Sequence, residues 1–331
     1  MKDVPDLPEI GGATFRDVEP SAPLTLDRWV EMHGVEPSEI TVVDDTPATP
    51  APAPQQATTS SEVSRDDSGT YSLVRGYLPR EVPHTGMSDL DLLKRCHDEL
   101  LAVLLYGPPG TGKTALARAT FGDSLVTIVG TVDTDTTDLV GSWVPTGDRA
   151  EPYRWVDGPL TVAVREGRPL LVDEIALIDP RVLSVMYSLM DGRDTLFLPS
   201  NPAVGQVPVA PGFYVVGACN PDAPGAVMSD ALLSRFAVHL SMDTPYEMLT
   251  RLGVAEDIIL AARNLATLRE TNEVRHAPQT RELLVFTRVR ETLGLQAALA
   301  NLVGTARPGD RQRYADVLTM TFGREVRPLG A

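Results

Sequence analysis

The chain has 331 residues, of which 43% are hydrophobic, enough to build a substantial core over about two domains. Its formal net charge is −16, and residues 1–70 hold 14 acids against 4 bases, so −10 of that charge lies at the front and no broad cationic field exists to attract nucleic acid non-specifically. Cys96 and Cys219 lie far apart without metal-type spacing; with no apolar run of membrane-span length and no opening leader, the expectation is a reduced, cytoplasmic protein.

Residues 1–70 read as a mostly disordered acidic segment. Thr46 to Pro54 is a Pro/Ala linker, and Gln55 to Gly69 is nearly free of apolar residues, so neither buries enough surface to offset the entropy of ordering. One island, with Leu26, Trp29 and Val30 on one side of a short helix ended by Gly34, reads either as a docking peptide or as a patch that folds back or stays disordered. Residues 71–243 form the next unit, and Ser88 or Asp89 caps its first helix.

The strongest signal is Gly107-Pro108-Pro109-Gly110-Thr111-Gly112-Lys113-Thr114, a full match to GxxxxGK[ST]. It follows the apolar strand Leu101–Tyr106 and precedes the helix-forming run Ala115–Ala119, which is the context the motif needs. Glycines let the backbone wrap a phosphate with its N–H groups inward, and the helix adds the positive end of its dipole. Lys113 is then expected to reach the β- and γ-phosphates, and the Thr114 hydroxyl to ligate Mg²⁺. Tyr77-Leu78-Pro79-Arg80, one helix earlier, is expected to pass near the base of the nucleotide.

A second strand covers Ser124–Gly130. A helix begins at Thr136, is interrupted by a hairpin carrying Trp143, Tyr153 and Trp155, and resumes at Gly158-Pro159. The run Arg168 to Glu174 closes an apolar strand on two acids, which suits a buried parallel strand with carboxylates at its C-terminal end. Asp173 is the candidate Mg²⁺ ligand, and Glu174 the candidate base that polarises the attacking water. A helix over Pro180–Met190 and a second hairpin bearing Phe197 follow. The strand Phe213–Asn220 ends on Asn220, a candidate holder of the same water. A short helix ends at Arg235, Phe236–Leu240 reads as the last strand, and residues 244–331 read as a small all-α unit with runs at Glu256–Glu273, Gln279–Thr292, Leu295–Leu302 and Asp310–Phe322.

Over roughly residues 75–322 these features resemble the AAA+ ATPase family: Gly107–Thr114 its Walker A, Leu170–Glu174 its Walker B, Asn220 its sensor-1, Leu233–Phe236 the segment carrying the arginine finger, and Arg281 its sensor-2 arginine. The two hairpins, with Asp157-Gly158-Pro159-Leu160 and Asp173-Glu174-Ile175, are similar to the MoxR and dynein-related branch. The resemblance implies an α/β P-loop NTPase fold, a parallel sheet flanked by helices and followed by a helical lid. It implies ATP and Mg²⁺ as cofactors, ATP hydrolysis as the activity, a homo-oligomeric ring, usually a hexamer, and a client or von Willebrand A-type partner protein. An arginine away from its own phosphate loop is useful to the chemistry only if it reaches a neighbour's γ-phosphate. A surface ion pair is the alternative for Arg235. Aromatic rings on the hairpins either grip a polypeptide or merely pair across their own strands. A McrB-type nucleic-acid motor and a slowly turning nucleotide switch remain the alternative functions. Scarce positive charge on the hairpins, where only Arg149, Arg154 and Arg193 occur, disfavours the motor.

Overall fold

The structure is a computed structural model that describes residues 71–329; the acidic front segment with its Trp29 island lies outside the described residues. Helix α1 (Asp89–Asp98) starts at Ser88, whose hydroxyl accepts the Asp91 N–H at 3.0 Å. Then come β1 (Val103–Tyr106), α2 (Lys113–Phe121), β2 (Val126–Val129) and α3 (Thr136–Val140). The first hairpin, β3 (Gly141–Pro145) and β4 (Tyr153–Asp157), leads into α4 (Pro159–Glu166), β5 (Pro169–Asp173) and α5 (Pro180–Met190). The second hairpin, β6 (Thr195–Phe197) and β7 (Gln206–Pro208), leads into β8 (Tyr214–Cys219), α6 (Asp230–Leu233) and β9 (Val238–Ser241).

Five strands form one all-parallel sheet in the order β2-β5-β8-β1-β9. Its inner strands are continuous apolar runs because both faces are covered. Leu104, Leu170, Val172 and Val215 face one core, which α4 and α5 complete. Val103, Leu105, Leu171 and Val216 face the other, which α1 and α2 complete. The arrangement is that of a P-loop NTPase, with β1, β5 and β8 side by side, so the segments that follow each of them converge on one edge.

A helical segment follows: α7 (Glu256–Glu270), α8 (Thr280–Leu293), α9 (Leu295–Thr305) and α10 (Arg311–Phe322). It has its own core, built around Ile258, Leu265, Phe286, Leu299, Tyr314 and Leu318. Two details differ from expectation. The last strand begins at Val238 rather than Phe236, because Phe236 closes the turn after α6 through its N–H to Leu233 O (3.2 Å) and buries its ring. A 3₁₀ stretch over Tyr246–Leu252 precedes α7 and buries Leu249 completely, a short irregular run that 3.6-residue periodicity does not reveal.

The Phe236 ring sets a packing limit on the central strand. A Cβ at Gly217 would lie 2.6 Å from Phe236 Cζ and 3.1 Å from Leu104 Cδ1. Gly217→Ala should therefore cost about 1–3 kcal/mol through overpacking, read as a lower midpoint in denaturant unfolding.

Candidate nucleotide-binding site

The loop between β1 and α2 starts where the ladder ends: Gly107 N–H donates to Cys219 O at 3.3 Å, and Met242 N–H donates to Tyr106 O at 2.8 Å. A side chain at Gly107 is excluded, since its Cβ would lie 2.3 Å from Met242 O. The loop then turns back on Lys113, the first residue of α2. The Lys113 ammonium donates to Gly107 O at 2.7 Å and to Pro108 O at 2.9 Å. It is 6% exposed, and burial holds its pKa below the usual lysine value against the opposing pull of Glu174 and Asp173.

Asp173 ends β5 and meets the loop directly. The Thr114 hydroxyl donates to Asp173 Oδ2 at 2.7 Å, and the Glu174 N–H donates to Asp173 Oδ1 at 3.1 Å. Hydroxyl and carboxylate oxygens at one point are the donor type that Mg²⁺ selects, with phosphates and water completing its shell. Among the described residues no group of three or more His, Cys, Asp or Glu side chains is placed to hold a metal ion.

These residues line a cavity of about 570 Å³. Its cationic lining is Arg80, Lys113, Arg118 and Arg281, against Asp173 and Glu174, an excess that suits a polyanion. Gly76, Tyr77 and Leu78 line it from the chain before α1, and Pro245, Leu252 and Leu284 from the helical segment, an apolar rim that suits a planar base. Of the Tyr77–Arg80 stretch, expected near the base, Tyr77, Leu78 and Arg80 line the same cavity as the phosphate loop.

The remaining candidates fall differently. Arg281 lies at the start of α8, and its backbone N–H donates to Gly110 O at 3.1 Å, so the helical segment touches the loop itself. Asn220 follows β8, half-buried, and its side-chain oxygen accepts the Asp222 N–H at 3.2 Å. Arg235 is outside the cavity lining. It donates to Asp191 Oδ2 at 2.9 Å and to Ala231 O at 2.7 Å, and its guanidinium lies 4.4 Å from the Tyr187 ring centroid. The His97 ring beside Cys96 packs edge-on against Phe121 and Tyr214, with Nε2 3.3 Å from Gly212 O.

Both hairpins project with exposed rings: Trp143 is 47%, Tyr153 58% and Phe197 59% exposed. Trp143 and Trp155 do pair across β3 and β4, edge to face at 5.7 Å. Trp143 Nε1 also donates to Ser200 O at 2.9 Å, joining the two hairpins, a contact that strand pairing alone does not foretell.

Comparison with known proteins agrees with this geometry. Residues 102–236 match the family described as AAA domain (dynein-related subfamily). Midasin of Giardia intestinalis is 45% identical over 100 residues, 29% of this chain and 2% of that protein. An uncharacterised protein of Staphylococcus haemolyticus is 36% identical over 143 residues, 41% of this chain and 53% of its own. The chain thus spans about half the length of the staphylococcal relative and a small fraction of midasin. A solved chain from Cytophaga hutchinsonii aligns over 69% of this chain and 79% of its own, at 17% identity and a TM-score of 0.36, too slight a likeness to argue from. Residues 102–236 are thus similar to an AAA domain, and the phosphate loop lies within them. Among the described residues no helix is long and apolar enough to cross a membrane.

Glu174 holds a backbone that sequence does not announce, φ 52° and ψ 38°, in the left-handed region. For a residue with a Cβ this costs about 1–2 kcal/mol. Glu174→Gly should then unfold no earlier than the parent, and up to about 1 kcal/mol later, whereas Glu174→Gln should gain nothing. Denaturant melts of the two variants beside the parent measure the difference.

Proposed function

We propose that this chain is a Mg²⁺-dependent ATP hydrolase of the MoxR-like AAA+ branch, working in a homo-oligomeric ring, in the hexameric form usual for the family, to remodel or activate a partner protein. The observation that carries the reading is that Lys113, Thr114, Asp173 and Glu174 line one cavity, with the Thr114 hydroxyl bonded to Asp173. Gly107, Pro108, Pro109, Gly110, Thr111, Gly112, Lys113 and Thr114 would hold the phosphates, with the Thr114 and Asp173 oxygens holding Mg²⁺, which supplies charge neutralisation at the β- and γ-phosphates when bound. Glu174 would take the proton of the attacking water, and the free amide nitrogen of Asn220 would help orient that water. Arg281 would contact the phosphates in its own subunit, and Arg235 the neighbour's γ-phosphate in trans. The domain limits proposed with it are 71–243 for the ATP-binding part and 244–331 for the lid, with 1–70 as an accessory segment.

The exposed aromatic hairpins support a polypeptide client over nucleic acid, because they offer contact area with little positive charge. A von Willebrand A-type partner and a cytoplasmic location belong to the same reading.

Removing the loop's cation tests the centre of this proposal. Lys113→Ala should abolish measurable ATP binding, while Glu174→Gln should bind ATP and turn it over very slowly, as steady-state hydrolysis and calorimetric titration will show. Retained hydrolysis in Glu174→Gln would remove Glu174 as the base.

The trans role of Arg235 has its own test. A supplied arginine is worth roughly three to five powers of ten in rate in GTPases. Arg235→Ala should bind ATP yet hydrolyse it poorly. Mixed with Lys113→Ala it should regain part of the activity, at interfaces that join an intact loop to an intact arginine. Normal turnover by an assembled Arg235→Ala ring would end the trans reading.

A further inference from the structure

The phosphate loop is held on its outer side by donors from two segments that do not belong to it. Arg80, from the chain before α1, donates through Nη2 to Thr111 O and through Nη1 to Asp243 O, the latter at 2.7 Å. Arg281, at the start of α8, donates its N–H to Gly110 O at 3.1 Å. In a planar trans peptide the carbonyl and the next residue's N–H point to opposite sides. Drawing the Thr111 carbonyl to Arg80 therefore turns the Gly112 N–H the other way, and drawing the Gly110 carbonyl to Arg281 does the same for the Thr111 N–H. Two successive N–H groups so turned are the makings of an anion-binding concavity.

Arg80 is built to hold still. Its own N–H donates to Asp89 Oδ1 at 3.0 Å, and its carbonyl accepts the Asp89 N–H at 2.8 Å. Asp89 is 2% exposed, and the Tyr77 hydroxyl donates to its other oxygen. The guanidinium lies 5.6 Å from the centroid of the Tyr77 ring. Gly112 makes room for it: a Cβ there would come within 3.0 Å of Arg80 Nη2. Both bonded nitrogens go to neutral carbonyls on different segments, and Asp243 lies between β9 and the helical segment. The planar fork offers these two acceptors two separate nitrogens in a fixed geometry, where an ammonium offers a single point.

We propose that Arg80 is a positioning residue for the phosphate loop: it fixes the Thr111–Gly112 peptide so that the Gly112 N–H faces a nucleotide phosphate, and it ties that peptide to Asp243 at the head of the helical segment. The proposal rests on the nucleotide reading of the cavity. It also makes a specific claim about which part of the ligand feels Arg80. The phosphates do, and the nucleoside does not.

The test uses the full chain as parent, Lys113→Ala, Arg80→Ala and Arg80→Lys, each titrated calorimetrically with ATP, inorganic tripolyphosphate and adenosine, and each melted without ligand. A hydrogen bond from a charged donor is worth about 1.5–3 kcal/mol, so Arg80→Ala should lose about 10- to 100-fold in affinity for ATP. Tripolyphosphate should lose by the same factor, and adenosine binding should not change. Guanidinium ion at a sub-denaturing concentration should restore ATP binding to Arg80→Ala and leave Lys113→Ala unrescued. Should Arg80→Ala fail to fold, Arg80→Lys carries the test, with a parental melt and weakened tripolyphosphate binding expected. The proposal is overturned if Arg80→Ala, or Arg80→Lys in its place, binds ATP as tightly as the parent, or if adenosine weakens along with tripolyphosphate. Loss of ATP by Lys113→Ala alone leaves the nucleotide reading standing and removes only the role of Arg80. ATP binding by Lys113→Ala at parental affinity removes both.

Discussion

The whole site depends on one buried cation and the backbone that surrounds it. Lys113 is nearly sealed from solvent, and its ammonium rests on the Gly107 and Pro108 carbonyls of the loop it follows. Burying a charge is costly unless polar groups replace the lost water. Here those groups come from the tight return of the loop, which needs a glycine at 107 because Met242 crosses so closely. Met242 in turn continues the β1–β9 pairing beyond Tyr106. The sheet order therefore determines the loop's shape: β9 must lie beside β1 for the loop to be pinned, and β5 and β8 must lie on its other side for Asp173 to reach Thr114.

A second consequence concerns the helical segment. Its contact with the loop runs through backbone, from the Arg281 N–H to Gly110 O, and Gly110 is the only residue type that fits, since a Cβ would come 2.9 Å from Arg281 Cβ. The Thr244 hydroxyl strengthens the same corner, donating to Gln279 Oε1 at 2.7 Å and accepting the Thr280 N–H at 3.2 Å. A change in the loop's shape is thus felt at the start of α8 without any side chain having to move first. In the proposed ATPase this corner is a natural route from phosphate to lid.

Much of this was legible in the sequence because it rests on local rules. The glycine loop, the apolar runs at β1, β5 and β8, the hairpin splitting α3 from α4, and the acids closing β5 all follow from spacing and from residues with strong backbone preferences. What was not legible depends on distant partners. Nothing near Arg80 in sequence says that its guanidinium bridges Thr111 and Asp243, more than thirty and a hundred and sixty positions away. The left-handed backbone of Glu174 was hidden because glutamate has no preference for it; the strain is imposed by the turn out of β5. The pairing of Trp143 with Trp155 could be read from hairpin register, but not the bond from Trp143 to Ser200, which requires knowing that the two hairpins touch.

Arg235 shows where the physics constrains the proposed mechanism most. Its side chain is 23% exposed and already engaged by Asp191, Ala231 O and the Tyr187 ring. To act on a neighbour's phosphate it must exchange at least one of these. Asp191 is the one to give way. Its side chain is 48% exposed, and ion pairs of that kind contribute little net stability, because water competes for both charges. The ring contact and the bond to Ala231 O do not involve Asp191 and could persist through the exchange. Arg235 Nε and the Tyr187 hydroxyl, meanwhile, are buried without hydrogen-bond partners, a cost carried by the subunit alone. A phosphate arriving where Asp191 now binds would meet a guanidinium already fixed in plane by the ring beneath it. In the proposed trans role, replacing that carboxylate by a more highly charged anion at the same edge would leave the ring contact and the bond to Ala231 O in place.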